Sequence, residues 1–231
     1  MLFPGEARAE SPALSFSISS SLSMPLIGFD NGVANTGVLY ELETRLAKYL
    51  NRKMRLVSLP RPRIYKLLDR GKIDVHCYAS KDWIANNTQY AWSVPIMVQR
   101  DFLITRASNA RIKAPPHGAL VGTVNGYIYT SLASSFATGQ LVRDDARTQE
   151  QVINKLEMRR YDYAITNEIS FNWYKRINDA RDQFQKLQMI QQSEIRCMVR
   201  KGPEVPTQEI LSAIKTMMTN GEIGEIIAQY R

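Results

Sequence analysis

Gly71-Lys72-Ile73-Asp74, followed after a polar loop by Trp92-Ser93-Val94-Pro95, is the stretch on which the reading of this chain turns. Glycine takes the left-handed backbone without steric cost, so it ends helices. A helix over residues 64–70 is therefore expected to stop at Gly71. An apolar run at 73–78 begins at once and has the length of a buried strand. Residues 80–89 are polar, and Trp92-Ser93-Val94-Pro95 leads into a second apolar run. Upstream, residues 14–18 alternate apolar and polar as a strand does, and Ser19 to Ser23 with Pro25 and Gly28 form a loop. After Gly37, the residues Val38, Leu39, Leu42, Leu46, Ala47 and Leu50 fall near helical spacing. Residues 54–59 are a second strand. Pro60-Arg61-Pro62-Arg63 is a stiff turn, because proline fixes φ and disfavours helix just before it. Strand, helix, strand, helix, strand implies a parallel sheet with right-handed crossovers.

The pattern then restarts. Residues 102–106 are a strand leading into a polar segment, and 119–124 are another, broken by Gly126. A helix is expected over 127–138, a short strand over 141–144, an amphipathic helix over 149–159, a buried strand over 161–166 and a helix over 169–177. Two strands follow, 184–190 and 194–200, before Gly202-Pro203 breaks the chain. The helices 207–219 and 221–230 close it, the first with Ile210, Leu211, Ile214, Met217 and Met218 on one face. There are thus two α/β halves. The chain leaves the first near 102–107 and returns near 194–200, and two crossing strands make a hinge.

Composition narrows the function. With 231 residues, 44% of them hydrophobic, the chain can build one large core or two smaller ones. No run of eighteen apolar residues occurs, so no membrane-spanning helix is expected. The net charge of +8 comes from scattered Lys and Arg. That pattern is a solvated basic surface with some attraction for anions and no sign of a nucleic-acid partner. The only histidines are His76 and His117, and no Cys/His spacing suits a metal, so neither metal nor cofactor is expected. Cys77 and Cys197 both sit in apolar strand-like runs. Two buried free thiols is the plainer reading, and an oxidising compartment also permits a bridge. The opening Met1-Leu2-Phe3-Pro4-Gly5-Glu6-Ala7-Arg8-Ala9 ends in Ala-x-Ala, which a signal peptidase accepts. Residues 1–13 are expected to be the tail of a secretory signal followed by an unstructured lead-in.

Taken in order, these motifs resemble those of the bacterial extracellular solute-binding proteins of family 3, the polar amino-acid type that serves ABC transporters. Gly37 with Glu41-Leu42 resembles the family's first helix start, "LLDRGKID" its helix-to-strand step, and "WSVP" its "FSxPY". "LVGTVNG" resembles the opening strand of its second lobe, "RRYDYAITN" its "grvDavvtD", and "CMVRKGPE" with "MTNGEIGEIIAQY" its return strand and last helix. The resemblance implies a type II, two-lobed Venus-flytrap with two crossing hinge strands. Lobe 1 would be residues 14–103 plus 198–231, and lobe 2 residues 104–197. It further implies a monomeric, periplasmic, non-enzymatic protein that closes on a small polar or anionic solute. A permease of an ABC transporter or a membrane sensor would read the closed form. It also places Cys77 and Cys197 on neighbouring strands. An alternative on this scaffold is a cyclohexadienyl-dehydratase-like enzyme, for which Glu41 and Glu168 are the only candidate carboxylates.

The chain departs from the family where the ligand would sit. In matched register, the arginine that clamps an α-carboxylate falls on Asn86, and the aspartate that holds an α-ammonium falls on Asn167. The nearby threonine falls on Trp83, the Thr/Ser pair of the second lobe on Tyr127 and Ile128, and the usual aromatic on Ser23. Ordinary L-amino acids are therefore expected to bind weakly. Ligands in open α/β sheets lie beyond the carboxyl ends of the strands. That rule selects Ser20, Ser23, Arg61, Arg63, Tyr78, Lys81 and Trp83 in the first lobe, and Asn125, Tyr127 and Asn167 in the second, and the family register adds Asn86. Aromatic faces with Arg and Lys donors suit a flat anionic or hydrogen-bonding solute. The plain alternative packs Trp83 against Trp92 and leaves the basic side chains in water.

Overall fold

Gly71 does turn the chain from helix to strand, with a left-handed φ of 66°. The structure is a computed structural model and describes residues 12–109, 114–179 and 183–230. The Ala-x-Ala segment at 1–9 lies outside the described residues. Strand β1 (Leu14–Ser19) is followed by a hairpin of β2 (Gly28–Asp30) and β3 (Val33–Thr36), then by helix α1 (Val38–Tyr49). Next come β4 (Met54–Leu59), α2 (Arg61–Asp69) and β5 (Val75–Ala79). β1 pairs in parallel with both β4 and β5, as the alternation of strands and helices predicts. The short β6 (Ala91–Trp92) precedes β7 (Met97–Arg106). The second half holds β8 (Ala119–Val124), α3 (Ala133–Ala137), β9 (Leu141–Ala146), α4 (Gln149–Glu157), β10 (Tyr163–Asn167) and α5 (Glu168–Ile177). β11 (Phe184–Val199), α6 (Thr207–Thr219) and α7 (Glu222–Ala228) return the chain to the first half.

The strand order is β4-β1-β5-β11-β7-β10-β8-β9. The two lobes meet at β7 and β11, which run antiparallel from Phe184 opposite Arg106 to Ile195 opposite Met97. Beyond that point β11 leaves β7 and pairs with β5 and β6. Two long shared strands are the crossing connection that the sequence implied, and they form the two-lobed Venus-flytrap architecture.

The motif residues act as joints of this crossing. Asp74 accepts the backbone N–H of Ser15 at 2.9 Å and the Ser15 hydroxyl at 2.8 Å. It also pairs with Arg200 at 3.0 Å, just past the end of β11. Ser93 donates its N–H to the Cys197 carbonyl at 3.0 Å, and its hydroxyl oxygen accepts the Cys197 N–H at 2.9 Å. Both residues thus tie the first lobe to the returning strand. Gly37, at φ 104°, is needed for a different reason. A Cβ there would meet the Ile27 backbone at 2.7 Å. His76 is buried, and loss of solvation lowers its pKa to about 4, so it remains neutral beside Ser17.

Four expectations need correction. Cys77 and Cys197 are not free thiols but a disulfide, because β5 and β11 are direct neighbours and bring the two side chains face to face. The two strands expected at 184–190 and 194–200 are one strand, β11, bent by register shifts at Lys186/Gln188 and Met189/Gln191. The helix expected over 127–138 is confined to Ala133–Ala137 after a 3-10 turn at Thr130–Leu132, because Tyr127 and Tyr129 are drawn into the core. Helix α2 starts at Arg61 and not at residue 64, with Pro62 in its first turn, where a missing N–H costs nothing.

Candidate functional site

Arg61 opens α2 at the carboxyl end of β4, and that position carries its side chain between the lobes. The residue is only 7% exposed. Its guanidinium carbon lies 5.2 Å from the centre of the Trp83 ring and 4.5 Å from the centre of the Tyr127 ring. Trp83 ends a 3-10 turn just past β5, and Tyr127 follows β8 after the turn at Gly126. One ring therefore comes from each lobe. Tyr78, in β5, completes the group, with its ring centre 6.4 Å from that of Trp83. It holds a positive φ of 71°, which is uncommon for a bulky residue and recurs at ligand sites. Among the described residues, no hydrogen bond or ion pair reaches the Arg61 guanidinium.

Below this stack lies Asp101, in the crossing strand β7. It accepts Nε2–H of Gln99 at 2.8 Å and of Gln191 at 2.9 Å. Burial pushes its pKa up to about 6, against the opposing pull of those two hydrogen bonds and of Arg61. Burial also raises the pKa of Tyr78 and of Tyr127, so both hydroxyls stay protonated. Gln99, Asp101 and Gln191 were missed from sequence. Their trace in the sequence is slight: Gln99 and Asp101 lie two apart, on one face of β7.

Of the sequence-selected residues, the structure gathers Arg61, Tyr78, Trp83 and Tyr127 into this one group. Trp83 packs on Tyr78 and Arg61, and it is 8% exposed. Arg63, Lys81, Asn86 and Asn125 are exposed. Ser23 is half-buried, with its hydroxyl unpartnered. Asn167 is buried and caps α5 by accepting the Ser170 N–H at 2.9 Å. It also lines a separate cavity of about 320 Å³ beside the crossing strand.

Neither carboxylate considered for an enzyme is poised for proton transfer. Glu41 accepts the Tyr230 hydroxyl and pairs with Arg45. Glu168 is held between Lys186 at 2.7 Å and Arg100 at 3.2 Å, and the Lys186 hydrogen bond lowers its pKa. Among the described residues, no cluster of His, Cys, Asp and Glu could hold a metal ion. Among the described residues, no helix is long and apolar enough to cross a membrane.

The family model for bacterial extracellular solute-binding proteins, family 3, matches residues 18–231. The chain belongs to that family. It is a periplasmic binding protein, not an enzyme, and it takes its solute between the two lobes. No curated protein matches it. Solved structures of the same fold are numerous and distant in sequence. An ancestral arginine-binding protein bound to arginine has TM-score 0.76 at 17% identity, covering 96% of this chain and 98% of that one. The arginine-, lysine-, histidine-binding protein ArtJ of Geobacillus stearothermophilus has TM-score 0.73 at 14% identity, covering 94% of each chain. A histidine kinase sensor domain with similarity to periplasmic binding proteins has TM-score 0.74 at 15% identity, covering 94% of this chain and 95% of that one.

Proposed function

We propose that this solute-binding protein captures a small anionic solute and that the Arg61 guanidinium is its anchor. The observation that carries the reading is the state of Arg61. It is buried between one ring of each lobe, with no hydrogen-bond or ion-pair partner among the described residues. Removing a cation from water is unfavourable unless it is paired. The two cation–π contacts offset part of that cost, about 0.5–2 kcal/mol each. The guanidinium's N–H donors, in this reading, form the fork that matches a carboxylate or phosphate.

A solute that pairs with that edge strengthens a contact shared by both lobes. It thereby shifts the population toward the closed form, which a membrane permease or a membrane sensor reads. Relatives of both kinds support either partner. They include an amino-acid-binding protein and a kinase sensor domain. In this reading the protein acts as a monomer, with residues 14–103 and 198–231 as one lobe and 104–197 as the other. Asn86 and Asn167 replace the family's charged handles, so L-amino acids are poor ligands.

A thermal-shift panel of small organic acids and phosphates against L-amino acids tests this, backed by native mass spectrometry of the freshly purified protein. Stabilisation by an acid, lost in Arg61→Gln, is the expected result. A ligand at 100 times its Kd adds about 2.7 kcal/mol. Acids that stabilise Arg61→Gln as much as wild type, or L-amino acids that outperform them, would overturn it.

A further inference from the structure

The three parallel strands of the first lobe start at one pole. Leu14 stands opposite Met54 in register, and Phe16 opposite Val75. Arg61 follows the carboxyl end of β4, so this pole lies at the far end of the lobe from it. Helices α1 and α2 run back toward the pole and end there, at Tyr49 and Asp69. β11 ends there too, since it is antiparallel to β5 and Val199 stands opposite Val75.

What gathers at this pole is cationic. Lys48 sits in the last turn of α1, Arg70 caps α2, Arg52 and Arg55 flank the start of β4, Lys72 precedes β5 and Lys201 follows β11. All are exposed except Arg52, which is half-buried. Among the described residues none of the six meets a carboxylate. Arg52 donates to the Pro12 carbonyl at 3.3 Å, Arg55 to that of Lys72 at 2.8 Å and Lys201 to that of Thr88 at 3.0 Å. Those partners are neutral and leave the charge unbalanced. The acids nearby are already occupied. Asp74 and Glu204 hold Arg200 at 3.0 Å and 3.2 Å, and Asp69 accepts the Tyr90 hydroxyl. Glu209, in the first turn of α6, offsets only one of the six. In the second lobe, by contrast, Arg106, Arg143, Lys155 and Lys186 each face a carboxylate. Amid the polar cations Tyr49 is 54% exposed. Its ring has an apolar body and a polar tip, a combination that settles at membrane interfaces.

We propose that this pole docks on the surface of a bilayer containing anionic phospholipid. Cations on long flexible side chains, drawn from several separate stretches, suit a fluid sheet of phosphates better than one fixed acidic face. A periplasmic protein meets such lipid at the membrane that carries its permease or sensor. Each Lys or Arg near an anionic bilayer adds to the attraction, which fades within a Debye length, about 10 Å at 0.1 M salt. Docking by the far pole leaves the space between the lobes open to solute and concentrates the protein around its membrane reader. The surface does not depend on the role given to Arg61.

Co-sedimentation with vesicles of phosphatidylglycerol and phosphatidylcholine, against phosphatidylcholine alone, tests this on wild type and two triple variants. Arg55→Gln/Arg70→Gln/Lys72→Gln removes three charges from the pole, and Arg147→Gln/Arg159→Gln/Arg160→Gln removes as many exposed charges from the second lobe. Wild type is expected to bind the anionic vesicles and not the neutral ones, and to release them in about 0.5 M NaCl. The pole variant should bind at least tenfold more weakly, and the second-lobe variant within about twofold of wild type. Should the pole variant fail to fold, Arg70→Gln and Lys72→Gln replace it as single variants, each expected to bind a few-fold more weakly. Absence of wild-type binding to the anionic vesicles overturns the proposal. So does an equal loss in the two triple variants, which would make net charge alone responsible. Binding to washed membranes that lipid vesicles do not reproduce would assign the pole to an acidic protein and also overturn it.

Discussion

Around Arg61 the space between the lobes is filled by the chain's own side chains, whereas around Gln99 it is open. Both regions use Tyr78. In the filled region Trp83 and Tyr127 stand where the family resemblance calls for small hydroxyl residues, and their rings take up the volume that a ligand's body would occupy. What that region still offers is a charge and its hydrogen-bond donors. In the open region Gln99, Asn167 and Asn172 line a cavity in whose wall Arg100 and Glu168 are paired.

The sharpest test of this contrast is mechanical. Trp83→Ala removes a ring packed on Tyr78 and Arg61 and should cost about 3–5 kcal/mol in urea unfolding. Asn172→Ala, at the exposed rim of the open region, should stay within about 0.5 kcal/mol of wild type. Similar losses from both would erase the distinction between a filled and an open region.

The disulfide comes next. Cys77 adjoins Tyr78 and is bridged to Cys197 across 120 residues of chain. Replacing both cysteines with serine should lower stability by about 2–4 kcal/mol. Tryptophan fluorescence should report a loosened Trp83 contact in the double variant. An unchanged spectrum would mean that the filled region holds itself together without the bridge.

Electrostatics distinguishes the regions at the scale of about 3 kcal/mol or less. The folded pKa of Asp101 is raised from 3.8 to about 6, chiefly by burial. The proton therefore favours the folded state. The contribution is complete below about pH 4 and is lost as pH rises through about 6. Asp101→Asn should flatten stability against pH in that window. Arg61→Gln removes a cation that favours the ionised form, so it should move the loss to higher pH. An identical profile in Arg61→Gln would show that the stack and the crossing strand are electrically independent.

The smallest effect is expected from Arg61→Lys, which keeps the charge and loses the flat faces and the fork. Its stability should fall by about 1 kcal/mol. Acid binding should weaken even so, and full retention would mean that charge alone is read there.

Much of the architecture was legible because local chemistry decides it. Helical spacing from Val38 to Leu46 and from Ile210 to Met217 marks real buried faces, and 54–59 is a strand with the expected bounds. β11 was not legible as one strand, because its polar middle, Gln191 to Glu194, interrupts the apolar pattern while it goes on pairing with β7. The site was half legible. Arg61, Tyr78, Trp83 and Tyr127 could be picked out as large or charged residues past strand ends. Gln99, Asp101 and Gln191 could not, since polar residues in a strand look solvent-facing until a second lobe covers them.

The amino-acid sequence by itself determined the two-lobed class, the family and the order of elements apart from the hairpin of β2 and β3 and the continuity of β11, through periodicity, glycine and proline positions and short motifs. Tertiary structure alone decided that Cys77 meets Cys197, that Arg61 lies against a ring of the opposite lobe and that a cavity remains beside Gln99. These contacts depend on how two half-sheets seat against each other across β7 and β11. That seating is set by packing between residues distant in sequence, and no local pattern records it.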